Sequence, residues 1–386
     1  MKNIDNIFSS LHCAVIGDII GFGNGIVEFN YHDKRFNNAV DRFTISDLSL
    51  LSYRHVVDFI SRGGYTNIDI SKNIASDDSV LLLAVFDGLI TSKKEENEDK
   101  IVDNIKNKII EYIKLDYKNE TFKDRYYGIR TTEAMNRIIN EKKNWEKFAF
   151  SENAGGCGAS MRSMAIGLIY SEPKDFVKLM HISIQSSRIT HNNPIGYLGG
   201  FMSALFTSFA IQEIEPEKWI FKLIEILKTD QIIDFIKNTV TKYWPKEYDL
   251  HTEEYYRFLD LCEKYVSLRF KDKKFINLEE KISMRFFELR STWYYEEFKA
   301  PAGYPNQFFP GSNGFDSVII AYDALLDCNG SFETLIYYAM LHAGDSDSTG
   351  CIAGAFYGAY YGKFDLPKSF YKIEFMDGIK KLVNSM

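Results

Sequence analysis

Oxygen donors crowd the stretch His342 to Gly350, HAGDSDSTG, where Asp345, Asp347 and Ser348 fall within four residues and Ser346 and Thr349 add two hydroxyls. Hard divalent cations such as Mg²⁺ or Ca²⁺ take that kind of oxygen set. An EF-hand loop also begins D-x-D with glycine at its sixth position, but its twelfth position should be glutamate and here it is Phe356. The plainer alternative is an acidic, hydroxyl-rich cap that only starts a helix. A second acidic cluster lies far upstream at Ser76, Asp77, Asp78 and Ser79. If the two clusters met without a cation, like charges would repel or force protonation. Either they lie apart or metal joins them. The matching S-D-D-S and D-S-D-S chemistry suggests two metals, which lie roughly 3.5–4 Å apart in two-metal hydrolases.

Three further stretches carry chemical potential. Near the start, G-D-I-I-G (Gly17 to Gly21) runs into F-G-N-G-I-V-E-F, whose glycines mark backbone that turns tightly or lies close to something. Asp18 and Glu28 are its acidic residues, and a turn with solvated acids is the competing reading. The stretch lacks the lysine and spacing of a phosphate P-loop. Gly155, Gly156 and Gly158, around Cys157, precede a helical pattern and offer backbone N–H groups as a cradle for phosphate oxygens. Taken alone, Cys157 reads more readily as a small buried filler and Arg162 as half of a structural ion pair. Thr190, His191 and Pro194 form a polar break in a long helical pattern, because the residue before proline is pushed out of the helical region. A lone histidine such as His191 is more often structural than a ligand contact.

The elements that must position these residues are helical. Apolar residues recur at helical spacing over Ile7 to Ile20, Leu48 to Ser61, Val80 to Leu89, Ile101 to Tyr117, Lys174 to Ala210, Asp316 to Leu326, Ser331 to Leu341 and Cys351 to Tyr361. No run of alternating strands accompanies them, so the fold class is all-α. Gly350, Gly354, Gly358 and Gly362 recur every four residues, a groove that lets another helix approach closely. The segment 212–299 reads as helices with variable connections around Trp219, Trp244 and Trp293, and carries no motif. Ala300 to Gly314, with three prolines and three glycines, reads as a loop able to cover a flat ligand.

The chain has 386 residues, 45% of them hydrophobic, and a formal charge of −7 without a basic stripe, so a nucleic-acid partner is not expected. Its five cysteines form no C-x-x-C pair, which suits a reducing compartment. With no secretory pattern at the start and no apolar run near the ~20 residues of a membrane helix, a cytoplasmic location without membrane contact is expected.

Taken in order, G-D-I-I-G…E-F, S-D-D-S, G-G-C-G-A-S-M-R, T-H-N-N-P-I-G-Y-L-G and H-A-G-D-S-D-S-T-G resemble the ADP-ribosylglycohydrolase family over nearly the whole chain, most closely its ADP-ribosylarginine hydrolase branch. The resemblance implies one domain spanning 1–386, an orthogonal helical bundle around two Mg²⁺ (or Mn²⁺), with a variable insert near 212–314. It implies hydrolysis of the N-glycosidic bond that joins ADP-ribose to arginine side chains. ADP-ribosylated proteins and ADP-ribose are the implied partners, and a monomer the implied state. Ser76, Asp77, Asp78, Asp345, Asp347 and Ser348 would be metal ligands, with Asp77 or Asp78 as base or orienter. Glu28 would stand over the scissile bond, as anchor or proton carrier. Gly155, Gly156, Cys157 and Gly158 would hold the pyrophosphate, and His191 would line the same groove. Serines replace threonines found in many relatives, and the loop FFPGSNGFD departs from the arginine branch, which leaves serine-linked or other O-linked ADP-ribose, or ADP-ribose binding without catalysis, as alternatives.

Overall fold

A computed structural model describes residues 4–30, 45–276 and 310–386. Among these, fourteen α-helices have eight residues or more: α1 (Ile4–Phe22), α2 (Ile45–Ser61), α3 (Asp77–Thr91), α4 (Glu98–Lys118), α5 (Ile129–Ile139), α6 (Ser160–Ile169), α7 (Phe176–Arg188), α8 (Pro194–Ile211), α9 (Trp219–Leu227), α10 (Tyr248–Arg269), α11 (Asp316–Asp327), α12 (Phe332–Ala339), α13 (Ser346–Tyr361) and α14 (Met376–Asn384). The all-α expectation holds. The described strands are two two-residue pieces, Phe270–Lys271 and Lys274–Phe275, which pair antiparallel.

The last core helix packs on the first. In α13, a Cβ on Gly354 would sit 2.1 Å from the Cys13 carbonyl oxygen, and one on Gly358 would sit 2.2 Å from that of Ser9. Gly17 and Gly21 answer from α1, where a Cβ would stand 2.0 Å from the Gly350 oxygen and 2.1 Å from that of Ser346. The groove expected from the four-residue glycine spacing is therefore filled by α1. Gly17 and Gly21 are helical rather than turning; the turn comes after them, at Gly23 and Gly25, both with positive φ.

The long helical pattern at 174–210 breaks where expected. α8 starts with Pro194 at its first position, and the Asn193 side chain caps it by accepting the Ile195 N–H at 2.9 Å. One apolar cluster continues through most of the helices, including α9 and α10 from the 212–276 stretch. Trp219 of α9 is fully buried against Phe206 of α8, Tyr322 of α11 and Phe356 of α13. That stretch therefore packs into the same apolar core as the other helices. Trp293 and the start of the loop expected over Ala300 to Gly314 lie outside the described residues.

Two segments, Ile4–Gly25 and Pro194–Ile211, are long and apolar enough to cross a membrane by length and composition, contrary to the expectation that no run approaches that length. Each is 94% buried inside the protein, so their apolar surface serves the core.

Candidate metal centre and cleft

Both acidic clusters are helix N-termini, and both open into one cleft of about 400 Å³. Ser76 is the cap of α3, its Oγ accepting the Asp78 N–H at 3.1 Å. Asp18 of α1 lies beneath this turn and accepts the N–H groups of Ser76 and Ser79, each at 3.0 Å, and the Ser79 hydroxyl. Asp18 is wholly buried and Glu28 nearly so, which removes the reading of a turn with solvated acids. Asp345 caps α13 by accepting the Ser348 N–H at 3.3 Å, while the Ser346 hydroxyl donates to the Gly21 carbonyl at 2.8 Å. His342 accepts the Gly344 N–H through Nδ1 at 3.0 Å, so its Nε2 carries the proton and donates to Thr349 Oγ1 at 2.8 Å. Burial lowers the His342 pKa to about 3, so the ring acts as a neutral brace. Glu28 is brought in by a short 3₁₀ turn whose next residue, Phe29, donates its N–H to Gly344 at 3.1 Å.

One carboxylate oxygen each from Glu28, Asp345 and Asp347 can be chosen so that all lie within 4.8 Å of one another. Glu28 Oε2, Asp78 Oδ2 and Asp347 Oδ1 are buried without a hydrogen-bond partner. Burial is the first cause raising the carboxyls of Glu28, Asp78 and Asp347 well above the usual range; Asp347 is the next cause for Glu28 and Asp78, and Asp345 for Asp347. Asp77 is raised for the same first reason, partly offset by the Gly128 N–H that it accepts at 3.4 Å. Buried acids without counter-charge are costly. A divalent cation would remove that cost, and the oxygen-rich donor set fits Mg²⁺ or Mn²⁺. Among the described residues there is one such three-carboxylate cluster, and it includes Glu28, which the family resemblance placed over the scissile bond rather than among the ligands.

With this geometry in view, the comparisons with known proteins are decisive. The family model described as ADP-ribosylglycohydrolase matches residues 1–385. The chain belongs to the ADP-ribosylglycohydrolase family. It is 31% identical to ADP-ribosylhydrolase ARH1 of Dictyostelium discoideum over 100% of this chain and 94% of that protein. Putative ADP-ribosyl glycohydrolase L444 of Acanthamoeba polyphaga mimivirus is also 31% identical, over 97% of this chain and 68% of its own length. A solved chain of an ADP-ribosylglycohydrolase-related protein complex shares the fold, with a TM-score of 0.50 and 14% identity, over 100% of this chain and 97% of that one.

The other expected residues of this family member fall unevenly around the cleft. Asp77, Asp78, Asp345, Asp347, Ser348 and Glu28 line it, as do Gly156, Cys157, Gly158 and His191. Gly155 does not: it is buried against Ile195, and its carbonyl accepts the Gly314 N–H at 2.9 Å. The Cys157 N–H donates to the Ser312 carbonyl at 3.1 Å. These bonds pin the glycine loop to 312–314, so the expected cradle narrows to Gly156 and Gly158. Ser76 sits behind the wall as a cap. Cys157 is more than a filler, because its thiol donates to Asp345 Oδ2 at 3.1 Å. His191 has its Nδ1 2.7 Å from Thr190 Oγ1, and burial, followed by Arg162, lowers its pKa to about 3. It is a neutral wall beside Gly158, where a Cβ would meet its Cε1 at 2.8 Å. Arg162 is fully buried and hydrogen-bonds the carbonyls of Gly158 and Ser186 and the Thr190 hydroxyl; among the described residues these stand where an ion pair was expected.

No motif in the chain order pointed to the opposite rim, formed by Tyr126, Tyr127, Gly128, Arg130 and Thr131. Arg125 holds that rim to the turn at Ser76. Its Nη1 donates to the Ala75 carbonyl at 2.7 Å, and its guanidinium pairs with Asp116 at 3.0 Å and Glu374 at 2.7 Å. Glu374 in turn accepts the Ala75 N–H at 2.9 Å, so the peptide before Ser76 is clamped at both ends. Charged residues scattered over three segments show no spacing that would reveal this in the chain order.

Proposed function

We propose that this protein is a Mg²⁺-dependent hydrolase that removes mono-ADP-ribose from arginine side chains of proteins, with Mn²⁺ able to replace Mg²⁺. The observation that carries the reading is the convergence of three buried, unpartnered carboxylate oxygens, from Glu28, Asp78 and Asp347, in the shared cleft. The similarity to ADP-ribosylhydrolase ARH1, which runs the whole length of the chain, supports ADP-ribose as the group removed; the arginine linkage follows from the motif resemblance.

Asp77 and Asp78 on one side and Asp345, Asp347 and Ser348 on the other would hold two cations, with Glu28 beside them and Ser76 capping the turn behind. When bound, the cations would supply Lewis acidity toward the ribose and a water. The bond from ribose C1″ to the guanidinium nitrogen breaks through an oxocarbenium-like transition state, as in glycoside cleavage generally. Asp77, whose Oδ2 is already steadied by the Gly128 N–H, orients the attacking water and takes its proton. Glu28, which lines the same cleft as Tyr126, anchors the departing group. That group's nitrogen keeps the electron pair of the broken bond, and it leaves as guanidinium after taking up a proton equivalent to the one that water gives to Asp77. Gly156 and Gly158 face the pyrophosphate, and neutral His191 closes that wall without adding charge. The protein works as a monomer in the cytoplasm, as one domain.

The test is ADP-ribose release from matched arginine- and serine-ADP-ribosylated peptides, with Mg²⁺ and with EDTA. Release from the arginine peptide alone, abolished by EDTA, is the expected result. Release from the serine peptide would keep the centre and overturn the linkage. Tight ADP-ribose binding without release from either would point to a binding module.

A further inference from the structure

The acidic clusters leave the cleft short of positive charge. Glu28, Asp77, Asp78, Asp345 and Asp347 line it, and among the described residues Arg130 is the one arginine or lysine in its wall. Arg130 stands in the first turn of α5, between Ile129 and Thr131, which also line the cleft. The first N–H groups of a helix have no partner within it, and Gly128, the cap of α5, has no side chain to offer them one.

That turn meets the glycine loop. A Cβ on Gly158 would lie 2.8 Å from His191 Cε1 and 3.5 Å from Thr131 Oγ1, so Thr131, next to Arg130, and His191 border the same point of the loop. The Arg130 charge is felt there: burial first, then Arg162 and Arg130, lowers the His191 pKa. The loop itself is short of donors, because the Cys157 N–H is spent on the Ser312 carbonyl. A pyrophosphate would bring further negative charge into this cleft, and the N–H groups of two glycines do not balance it. A guanidinium fork does, and it matches phosphate oxygens two at a time. Arg130 pairs with Glu133, one turn on, at 2.7 Å, and their side chains are 35% and 55% exposed. Such exposed pairs hold weakly, and Glu133 is not part of the cleft wall, so a phosphate can take its place.

We infer that Arg130 is a specificity-determining binding residue, whose guanidinium exchanges Glu133 for the pyrophosphate of the substrate, between the first turn of α5 and the Gly156 to Gly158 loop. The inference rests on the ADP-ribose reading above. The pyrophosphate is remote from the bond that breaks, so the contact is the same before and during the reaction, and its loss raises KM more than it lowers kcat. Glu133 works against it by competing with the substrate for the same guanidinium.

Calorimetry with ADP-ribose, together with KM and kcat on the ADP-ribosylated arginine peptide, tests this in the wild type, Arg130→Met and Glu133→Gln. Arg130→Met is expected to weaken ADP-ribose binding by about 10–100-fold, the range for a hydrogen bond to a charged group, and to raise KM with a smaller change in kcat. Glu133→Gln frees the guanidinium and is expected to tighten ADP-ribose binding by about 2–5-fold. Arg130→Lys keeps the charge without the fork and is expected to fall between wild type and Arg130→Met. Melting curves and Mg²⁺ titrations of each variant are expected to match the wild type, because the pair is exposed and lies off the acidic turns. If the pair only braced α5, both Arg130→Met and Glu133→Gln would weaken binding, and that result would overturn the inference. Unchanged ADP-ribose binding in Arg130→Met would overturn it too, while leaving the proposed function standing. A wild type that neither binds nor releases ADP-ribose would remove the substrate reading itself, and the inference with it.

Discussion

Asp347 has a buried oxygen that no protein group satisfies, and it shares one cluster with Glu28 and Asp345. Asparagine in its place keeps the shape and removes the charge, so the effect falls on the cation rather than on packing. Loss of a residue that merely orients a metal ligand costs about 10–100-fold in metal affinity, and loss of a ligand costs more. Asp347→Asn is therefore expected to weaken Mg²⁺ binding by more than about 100-fold and to abolish ADP-ribose release. Calorimetry and the peptide assay measure the two effects, and full activity at ordinary Mg²⁺ would exclude Asp347 as a ligand. Asp18 acts one step back. It binds the N–H groups of Ser76 and Ser79 without lining the cleft, so it sets where Asp77 and Asp78 point.

Among elements, the approach of α1 and α13 controls both acidic turns, because Asp18 lies on one helix and Asp345 and Asp347 start the other. A methyl group at Gly354 would meet the Cys13 carbonyl oxygen at 2.1 Å, and backbone cannot swing aside as a side chain would. Gly354→Ala is expected to destabilise the fold by about 1–3 kcal/mol, as overpacking does, and to lower Mg²⁺ affinity because the helices separate. Denaturant unfolding with and without Mg²⁺ separates the two effects. The Arg125 clamp ties α4, the C-terminal segment and the turn before Ser76 together. Its side chain is 4% exposed and that of Asp116 9%, so Arg125→Met leaves Asp116 buried without its counter-charge, with only the Thr121 and Tyr127 hydroxyls donating to it. A loss of about 3–5 kcal/mol follows from an unpaired buried charge. Weaker Mg²⁺ binding should accompany it in folded protein at low temperature, and unchanged affinity there would limit the clamp to a structural part.

For the molecule as a whole, the acid cluster links folding, metal and pH. Glu28, Asp77, Asp78 and Asp347 are raised well above the usual carboxylate range in the folded protein without metal, burial being the largest cause. The folded state therefore keeps protons that the unfolded chain releases near pH 4. Stability without metal must fall as pH rises from about 4 through these raised values, since the unfolded state then binds fewer protons. Mg²⁺ reverses the penalty by displacing those protons, so its affinity rises with pH. The increase in melting temperature on adding Mg²⁺ is expected to be larger at pH 8 than at pH 6. At a free concentration of 100 times Kd the stabilisation is about 2.7 kcal/mol. Scanning fluorimetry in EDTA and in Mg²⁺ across this range measures it, and a shift independent of pH would contradict the proton exchange.

What the chain order alone determined was local. Helix periods, the break before Pro194 and the glycine face of α13 follow from neighbours within a few residues, and each is present in the fold. The residues of the two acidic turns were legible because their side-chain chemistry is concentrated in four or five positions. Only the tertiary structure decided that the turns share one cleft, that Glu28 joins Asp345 and Asp347, and that Asp18 lies beneath Ser76 rather than in solvent. Those facts depend on which helix faces which, and burial is a property of the packed whole. The same reason hid the burial of Gly155 against Ile195, the Cys157 N–H, which is spent on the Ser312 carbonyl, and the Tyr126 to Thr131 rim, held by an ion pair between residues distant in sequence. A donor's availability is settled by what else it binds, and that partner comes from another part of the chain.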